Sequence, residues 1–156
     1  MRLLIAAVGK LKRGPERELL AHYLGRAEAA GRKLKLSPLG AVEVAESRAA
    51  TAPARIKQEA AALLAKVPPS HRLDCLDPGG EAQPSEAIAA LLARYRDGGA
   101  AGLAFAIGGA DGLAGEVVER AAATVSLGPM TLPHGLARIV LAENLYRAAT
   151  ILGGHP

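Results

Sequence analysis

Tryptophan is absent from the 156 residues and phenylalanine occurs once, with aromatics at 3 % overall. The interior therefore has to be filled by Leu, Val, Ile and Ala. Its burial must come from close approach of whole elements, worth about 25 cal/mol per Å² of apolar surface. The same shortage leaves little stacking surface for single-stranded bases, which favours a shaped target over a read sequence. One cysteine, Cys75, excludes an intrachain disulfide, and its place in an apolar run reads as a buried structural thiol. No apolar stretch approaches the ~20 residues needed to cross a bilayer. The first ten residues are too short for a signal-peptide core. A reducing, cytoplasmic location is the expectation. No GxxxxGK[ST] is present, which argues against a P-loop nucleotide site. Four histidines lie far apart and no Cys/His pair has ligand spacing, so no metal is expected. His22, His71 and His155 read by spacing as surface or capping residues.

Hydrophobic residues at 50 % and charged residues at 22 % describe a globular chain, long enough for one domain over residues 1–156. The net charge is +4 and the isoelectric point is near 9.5, compatible with a polyanionic partner. Lys10, Lys12, Arg13 and Arg17 cluster early, followed by Arg26, Arg32, Lys33 and Lys35; a solvated helix face explains them equally well.

Arg2 to Gly9 is a short apolar run that reads as a buried strand. Pro15 to Ala30 has helical spacing and Gly31 closes it. Lys33 to Val44, broken by Pro38 and Gly40, predicts an irregular or edge strand. A second helix runs from Pro53 to about Val67. His71 to Asp77 predicts a strand with Leu73, Cys75 and Leu76 inward, and a loop follows at Pro78-Gly79-Gly80. A third helix starts at Pro84-Ser85-Glu86 and ends at Gly98-Gly99. Gly102 to Ile107 is continuously apolar and therefore central. After Gly108-Gly109-Ala110-Asp111-Gly112 come a helix to about Ala123, a strand from Thr124 to Leu127, and a long helix from His134 to Leu152. The alternation predicts an α/β fold, a mainly parallel sheet with helices on both faces.

In open parallel sheets ligands bind at the carboxyl ends of strands. Three loops there are rich in Gly and Pro, after Asp77, Ile107 and Leu127, and glycine lets a ligand approach the backbone. The middle loop lacks G-x-G-x-x-G spacing and follows the fourth strand, which disfavours a dinucleotide site. In the last helix His134 and Arg138 share one side while Glu143 and Arg147 share the other, at about 100° per residue. Such a helix meets more than one surface, although an ordinary helix-stabilising ion pair accounts for Glu143–Arg147 just as simply.

FAIGGADGL, then MTLPHGLARIVLAENLYRAATILGGHP, strongly resembles the RlmH family of 23S rRNA (pseudouridine-N3)-methyltransferases, within the SPOUT superfamily. The resemblance extends over the whole chain, with IAAVGKLKRGPERELLAHYLGRA at the front. It implies a homodimer with the last helix threaded through a C-terminal trefoil knot, S-adenosyl-L-methionine as cofactor, and pseudouridine N3 in 23S ribosomal RNA of assembled ribosomes as acceptor. The family's cofactor site falls on Leu76, Gly108, Gly109, Gly128, Pro129, Met130, Thr131, Leu132 and Pro133. Candidates for proton transfer and substrate binding are His134, Arg138, Glu143, Tyr146, Arg147 and His155. Arg138 and Arg147 are expected to hold phosphate or a ring oxygen, and full turnover by Arg147→Ala would count against that. The family's chains continue past Gly-His-Pro with Tyr-His-Arg on the substrate side, whereas this sequence stops at Pro156. The expectation is intact cofactor binding with weakened methyl transfer; equal turnover after adding the tail would overturn it. Competing readings are a transfer RNA methyltransferase of the same superfamily, a non-catalytic ribosome- or RNA-binding protein, and a small-molecule α/β binding domain. Cofactor affinity and the salt dependence of RNA binding separate them.

Overall fold

Strand and helix alternate along the chain, and parallel neighbours in a sheet need a crossover between them. The computed structural model describes residues 1–155. Its strands are β1 (Arg2–Val8), β2 (Leu39–Val44), β3 (His71–Ala82), β4 (Gly102–Ile107) and β5 (Ala123–Ser126). They form one sheet in the order β2-β1-β4-β3-β5 with parallel pairing throughout. The helices are α1 (Pro15–Arg32), α2 (Ala52–Lys66), α3 (Ser85–Asp97), α4 (Gly115–Arg120) and α5 (His134–Leu152). β4 is buried along its whole length and sits between β1 and β3, as its continuous apolar run predicts.

Side chains alternate across a strand, and both faces of this sheet are apolar. Leu3, Ile5, Ala7, Leu76, Leu103, Phe105 and Ile107 join α1, α3 and α5 in one core. Ala6, Val8, Leu73, Cys75, Ala104 and Ala106 meet Leu63 of α2 and Val117 of α4 in the other. The second core is built on small residues, so helix and sheet pack closely without aromatic filler. Cys75 is fully buried there, its thiol donating to the Val117 carbonyl at 3.6 Å. Burial pushes that thiol up to about 12, which leaves it inert.

Several elements differ from the sequence reading. Gly31 lies inside the last turn of α1 and not beyond it. The chain doubles back there, and a Cβ on Gly31 would come 2.5 Å from the Leu36 carbonyl oxygen; the left-handed residue of the turn is Lys35, at φ 58. Pro78-Gly79-Gly80 is not a free loop. β3 continues through it to Ala82, and Leu76 and Glu81 both pair with Val125 around a bulge. α4 has only six residues, so β5 starts at Ala123.

One buried acid stands apart from these cores. Asp74 is fully buried on β3, where its Oδ1 accepts from the Tyr95 hydroxyl at 3.3 Å and the Ala123 N–H at 3.1 Å, while Oδ2 has no partner. Burial pushes its carboxyl up to about 6 against those hydrogen bonds, from an ordinary value of 3.8. The acid is thus bound more tightly by protons in the folded state. Its favourable contribution is complete below pH 3.8 and is lost as pH rises through about 6. Asp74→Asn should remove this loss. Its thermal midpoint is expected to match wild type near pH 4 and exceed it at pH 7, by up to about 2–3 kcal/mol of stability. Parallel midpoints across that range would show that the site is not protonated as described.

Candidate active site

All five strands run the same way, so their carboxyl ends share one edge of the sheet. A cavity of about 510 Å³ opens there, behind β3, β4 and β5. Its walls are Leu76, Asp77 and Pro78, then Ile107 with Gly108, Gly109, Ala110, Gly112 and Leu113, then Leu127 to Pro133 without Pro129, and His134 and Ala137 of α5. Of the nine residues that the family resemblance places at the cofactor, the structure brings eight into this one cavity: Leu76, Gly108, Gly109, Gly128, Met130, Thr131, Leu132 and Pro133. Pro129 is exposed and lies outside the lining. Ala137 and Leu113 carried no signal in the sequence, because an alanine or leucine on a helix or loop reads as core.

The glycines after β4 are needed for backbone packing. A Cβ on Gly108 would come 2.6 Å from the Gly112 carbonyl carbon, and one on Gly109 would come 2.9 Å from Val8 Cγ1. The loop folds back on itself through a Gly109–Gly112 bridge and is fixed from outside. Arg55 of α2 grips Asp111 with both fork arms, at 2.7 and 3.1 Å, and also donates to the Ala49 carbonyl at 3.1 Å. That pair holds the Asp111 carboxyl below its ordinary range, through the hydrogen bond first.

The wall is mainly apolar and its lining contains no Lys or Arg. Its ionisable members are Asp77, whose Oδ1 accepts the Gly79 N–H at 2.8 Å, and His134, whose Nε2 lies 3.6 Å from Glu46 Oε1. Lys10, Lys12, Arg13 and Arg17 are exposed on the loop after β1 and the first turn of α1, at the same edge of the sheet.

The catalytic candidates are not gathered at this cavity, and His134 alone among them lines it. Arg138 is 1 % exposed. Its guanidinium donates to the Val8 carbonyl at 2.9 Å, the Gly9 carbonyl at 3.0 Å, Glu43 at 2.8 Å and the His134 carbonyl at 3.3 Å. Its donors are committed to the interior, so an open phosphate-binding role is not what this arrangement offers. Desolvation lowers its pKa, opposed by Glu43. On the other side of α5, Arg147 pairs with Glu143 at 2.5 Å. Tyr146 accepts from Arg26 of α1 at 2.7 Å, with that guanidinium 4.2 Å over its ring. His155 is exposed beyond the helix, its N–H bonded to the Thr150 carbonyl at 3.0 Å. The two-sided polarity of α5 is therefore real, and its inner side is structural.

Among the described residues no helix is long and apolar enough to cross a membrane, and no group of three or more His, Cys, Asp or Glu could hold a metal.

The family model described as "Predicted SPOUT methyltransferase" matches residues 1–156. A Rhodopseudomonas palustris protein named ribosomal RNA large subunit methyltransferase H is 53 % identical over 156 residues, covering 100 % of this chain and 98 % of its own. A protein of the same name from Xanthobacter autotrophicus is 51 % identical over the same span, again covering 100 % and 98 %. In fold, the chain is similar to a probable methyltransferase from Bordetella pertussis Tohama I, with a TM-score of 0.51 at 16 % identity over 95 % of each chain. On that whole-length match the chain belongs to the SPOUT methyltransferase family, among the large-subunit ribosomal RNA methyltransferase H proteins.

Proposed function

We propose that this protein transfers a methyl group from S-adenosyl-L-methionine to N3 of a pseudouridine in 23S ribosomal RNA, acting on assembled ribosomes. The observation that carries the reading is the convergence of eight residues, from β3 and the loops after β4 and β5, on one cavity at the edge of the sheet. The cavity fits the group: its volume lies in the range of cofactor pockets, its wall is apolar, and the Gly108–Gly109 backbone is bare of side chains.

When bound, S-adenosyl-L-methionine supplies an electrophilic methyl carbon on a positively charged sulfur. Leu76, Met130 and Leu132 give its adenosyl part an apolar bed and exclude water. The backbone after β4 and β5 supplies the hydrogen bonds that orient it. N3 must lose a proton as it is methylated, and His134 is the imidazole on the cavity wall positioned to take it. The basic loop after β1 meets phosphate at the cavity's edge. Of the two α5 arginines Arg147 is the more exposed, and it would reach the substrate by leaving its pair with Glu143.

The trefoil threading of α5, the action of residues 1–156 as one domain, the homodimer and the cytoplasmic location belong to the same proposal. The test is incubation with labelled cofactor and ribosomes lacking the methyl mark, beside free ribosomal RNA and transfer RNA. Label in the large-subunit RNA of assembled ribosomes is expected. Label in transfer RNA alone would overturn the acceptor, and bound cofactor with no transfer to any RNA would favour a non-catalytic binding protein.

A further inference from the structure

Beneath the cavity wall lies a carboxylate that the reading above does not use. Glu59 of α2 is 5 % exposed. Its Oε1 accepts the Ser47 N–H at 2.9 Å, while Oε2 is buried without a hydrogen-bond partner among the described residues. A buried acceptor left without a partner costs about 1–3 kcal/mol, and more when charged, so its presence calls for an explanation. The side chain is aimed at the glycine loop: a Cβ on Gly109 would lie 3.4 Å from Oε2. Gly109 itself lines the cavity, so one backbone layer separates the carboxylate from whatever the cavity holds.

The neighbouring charges do not cancel it. Arg55, one turn earlier on α2, is committed to Asp111 in a two-armed pair, and the three groups together leave one negative charge under the loop. The cavity lining adds Asp77 and no cationic Lys or Arg, in a protein whose net charge is +4. Asp77 is partly open to solvent and therefore screened; Glu59 is not.

We propose that Glu59 is a specificity residue, a buried negative charge behind Gly109 that makes the cavity favour a cationic ligand over its neutral counterpart. The inference rests on the cofactor reading above. The sulfonium of S-adenosyl-L-methionine carries one positive charge more than the thioether of S-adenosylhomocysteine, the product left after transfer, and the two otherwise differ by a methyl group. Glu59 thus holds the charged cofactor and helps to release the neutral product.

Equilibrium binding of both ligands to the full chain tests this without any turnover. Glu59→Gln keeps the shape and the acceptor for Ser47 but removes the charge. It should weaken S-adenosyl-L-methionine relative to S-adenosylhomocysteine by roughly tenfold or more, the order expected when one opposite charge near a cation is lost at an effective dielectric near 20. Glu59→Asp keeps the charge and should keep the preference, even with a lowered thermal midpoint. Equal weakening of both ligands in folded Glu59→Gln would overturn the inference and leave the cofactor reading intact, as would an unchanged ratio. A second arm uses the unaltered protein: sinefungin, with an ammonium group near the sulfonium position, must compete better than S-adenosylhomocysteine, and equal competition overturns the inference whatever the variants do. Failure of the unaltered protein to bind any of the three would overturn the inference and the cofactor reading together.

Discussion

Replacing Arg138 with alanine should lower the stability of this protein by several kcal/mol, because two interior carbonyls lose their donor at about 1–3 kcal/mol each. At about 2–4 °C per kcal/mol for a chain of this size, the thermal midpoint should fall by on the order of 10 °C. The guanidinium closes four contacts at once, and three of them, the carbonyls of Val8 and Gly9 and the Glu43 carboxylate, belong to the ends of β1 and β2. Alanine leaves both carbonyls without this donor where the arginine was 1 % exposed, and removes one of the two donors to Glu43 Oε2. Glu43 has one other contact, the Leu11 N–H at 2.6 Å, so it would hold the loop after β1 alone. Lysine keeps the charge but not the fork, and should recover only part of the loss. Cofactor affinity should fall with stability, because His134, one turn away on α5, and the adjacent Ala137 form part of the cavity wall. A midpoint within 2 °C or so of wild type in Arg138→Ala would mean that water replaces the guanidinium, and the buried-lock account would be wrong.

Gly108→Ala should weaken cofactor binding by about ten- to a hundredfold at a smaller cost in stability. The added methyl would meet the Gly112 carbonyl carbon at 2.6 Å, its oxygen at 2.7 Å and the Leu113 nitrogen at 3.0 Å. All three are backbone atoms, so no rotamer change relieves the clash and the loop has to open. Strain of about 1–3 kcal/mol is typical of such overpacking, and if it is released by displacing the loop the affinity falls by about ten- to a hundredfold. Gly115→Ala is the control, since nothing lies within 4 Å of a Cβ there and the position begins α4. It should bind normally and melt at the same temperature or slightly above. Equal binding by both variants, measured by titration calorimetry, would show that the loop after β4 does not shape the cavity.

The sequence displays the sheet and the cavity loops because both are local signals. GLAFAI is apolar at every position and is the buried centre of the sheet. The bulged end of β3 and the loops after β4 and β5 are marked by glycine and proline, and eight of the nine cofactor positions that the family resemblance assigns meet in space. What stayed hidden depends on partners distant in the chain. An arginine on a helix reads as a surface cation, and nothing near residue 138 indicates that the carbonyls of Val8 and Gly9 surround it. Gly79 and Gly80 read as a loop because the strand that pairs beyond the bulge, β5, begins some forty residues later. Glu59 reads as one more polar residue of a helix face, since neither Ser47 nor Gly109 is adjacent to it in sequence. Arg147, Glu143 and Tyr146 sit together as the helical period requires, and their distance from the cavity follows from α1 and α5 packing side by side.

The Arg138 contacts span 129 and 130 positions of chain, and β1 pairs with β4 from Arg2↔Gly102 onward. This arrangement governs how the molecule comes to be folded. Closing so long a loop adds little to the thermodynamic cost, which grows only with the logarithm of length. The rate suffers more, since distant pairings must be found before they contribute anything. On a translating ribosome β1 and β2 can meet early, yet the other edge of β1 stays open until β4 has been made, and its terminal carbonyls wait for α5. The half-formed sheet is therefore open to chaperones and to wrong strand partners until β4 is made, and the fold is completed only when the last helix arrives.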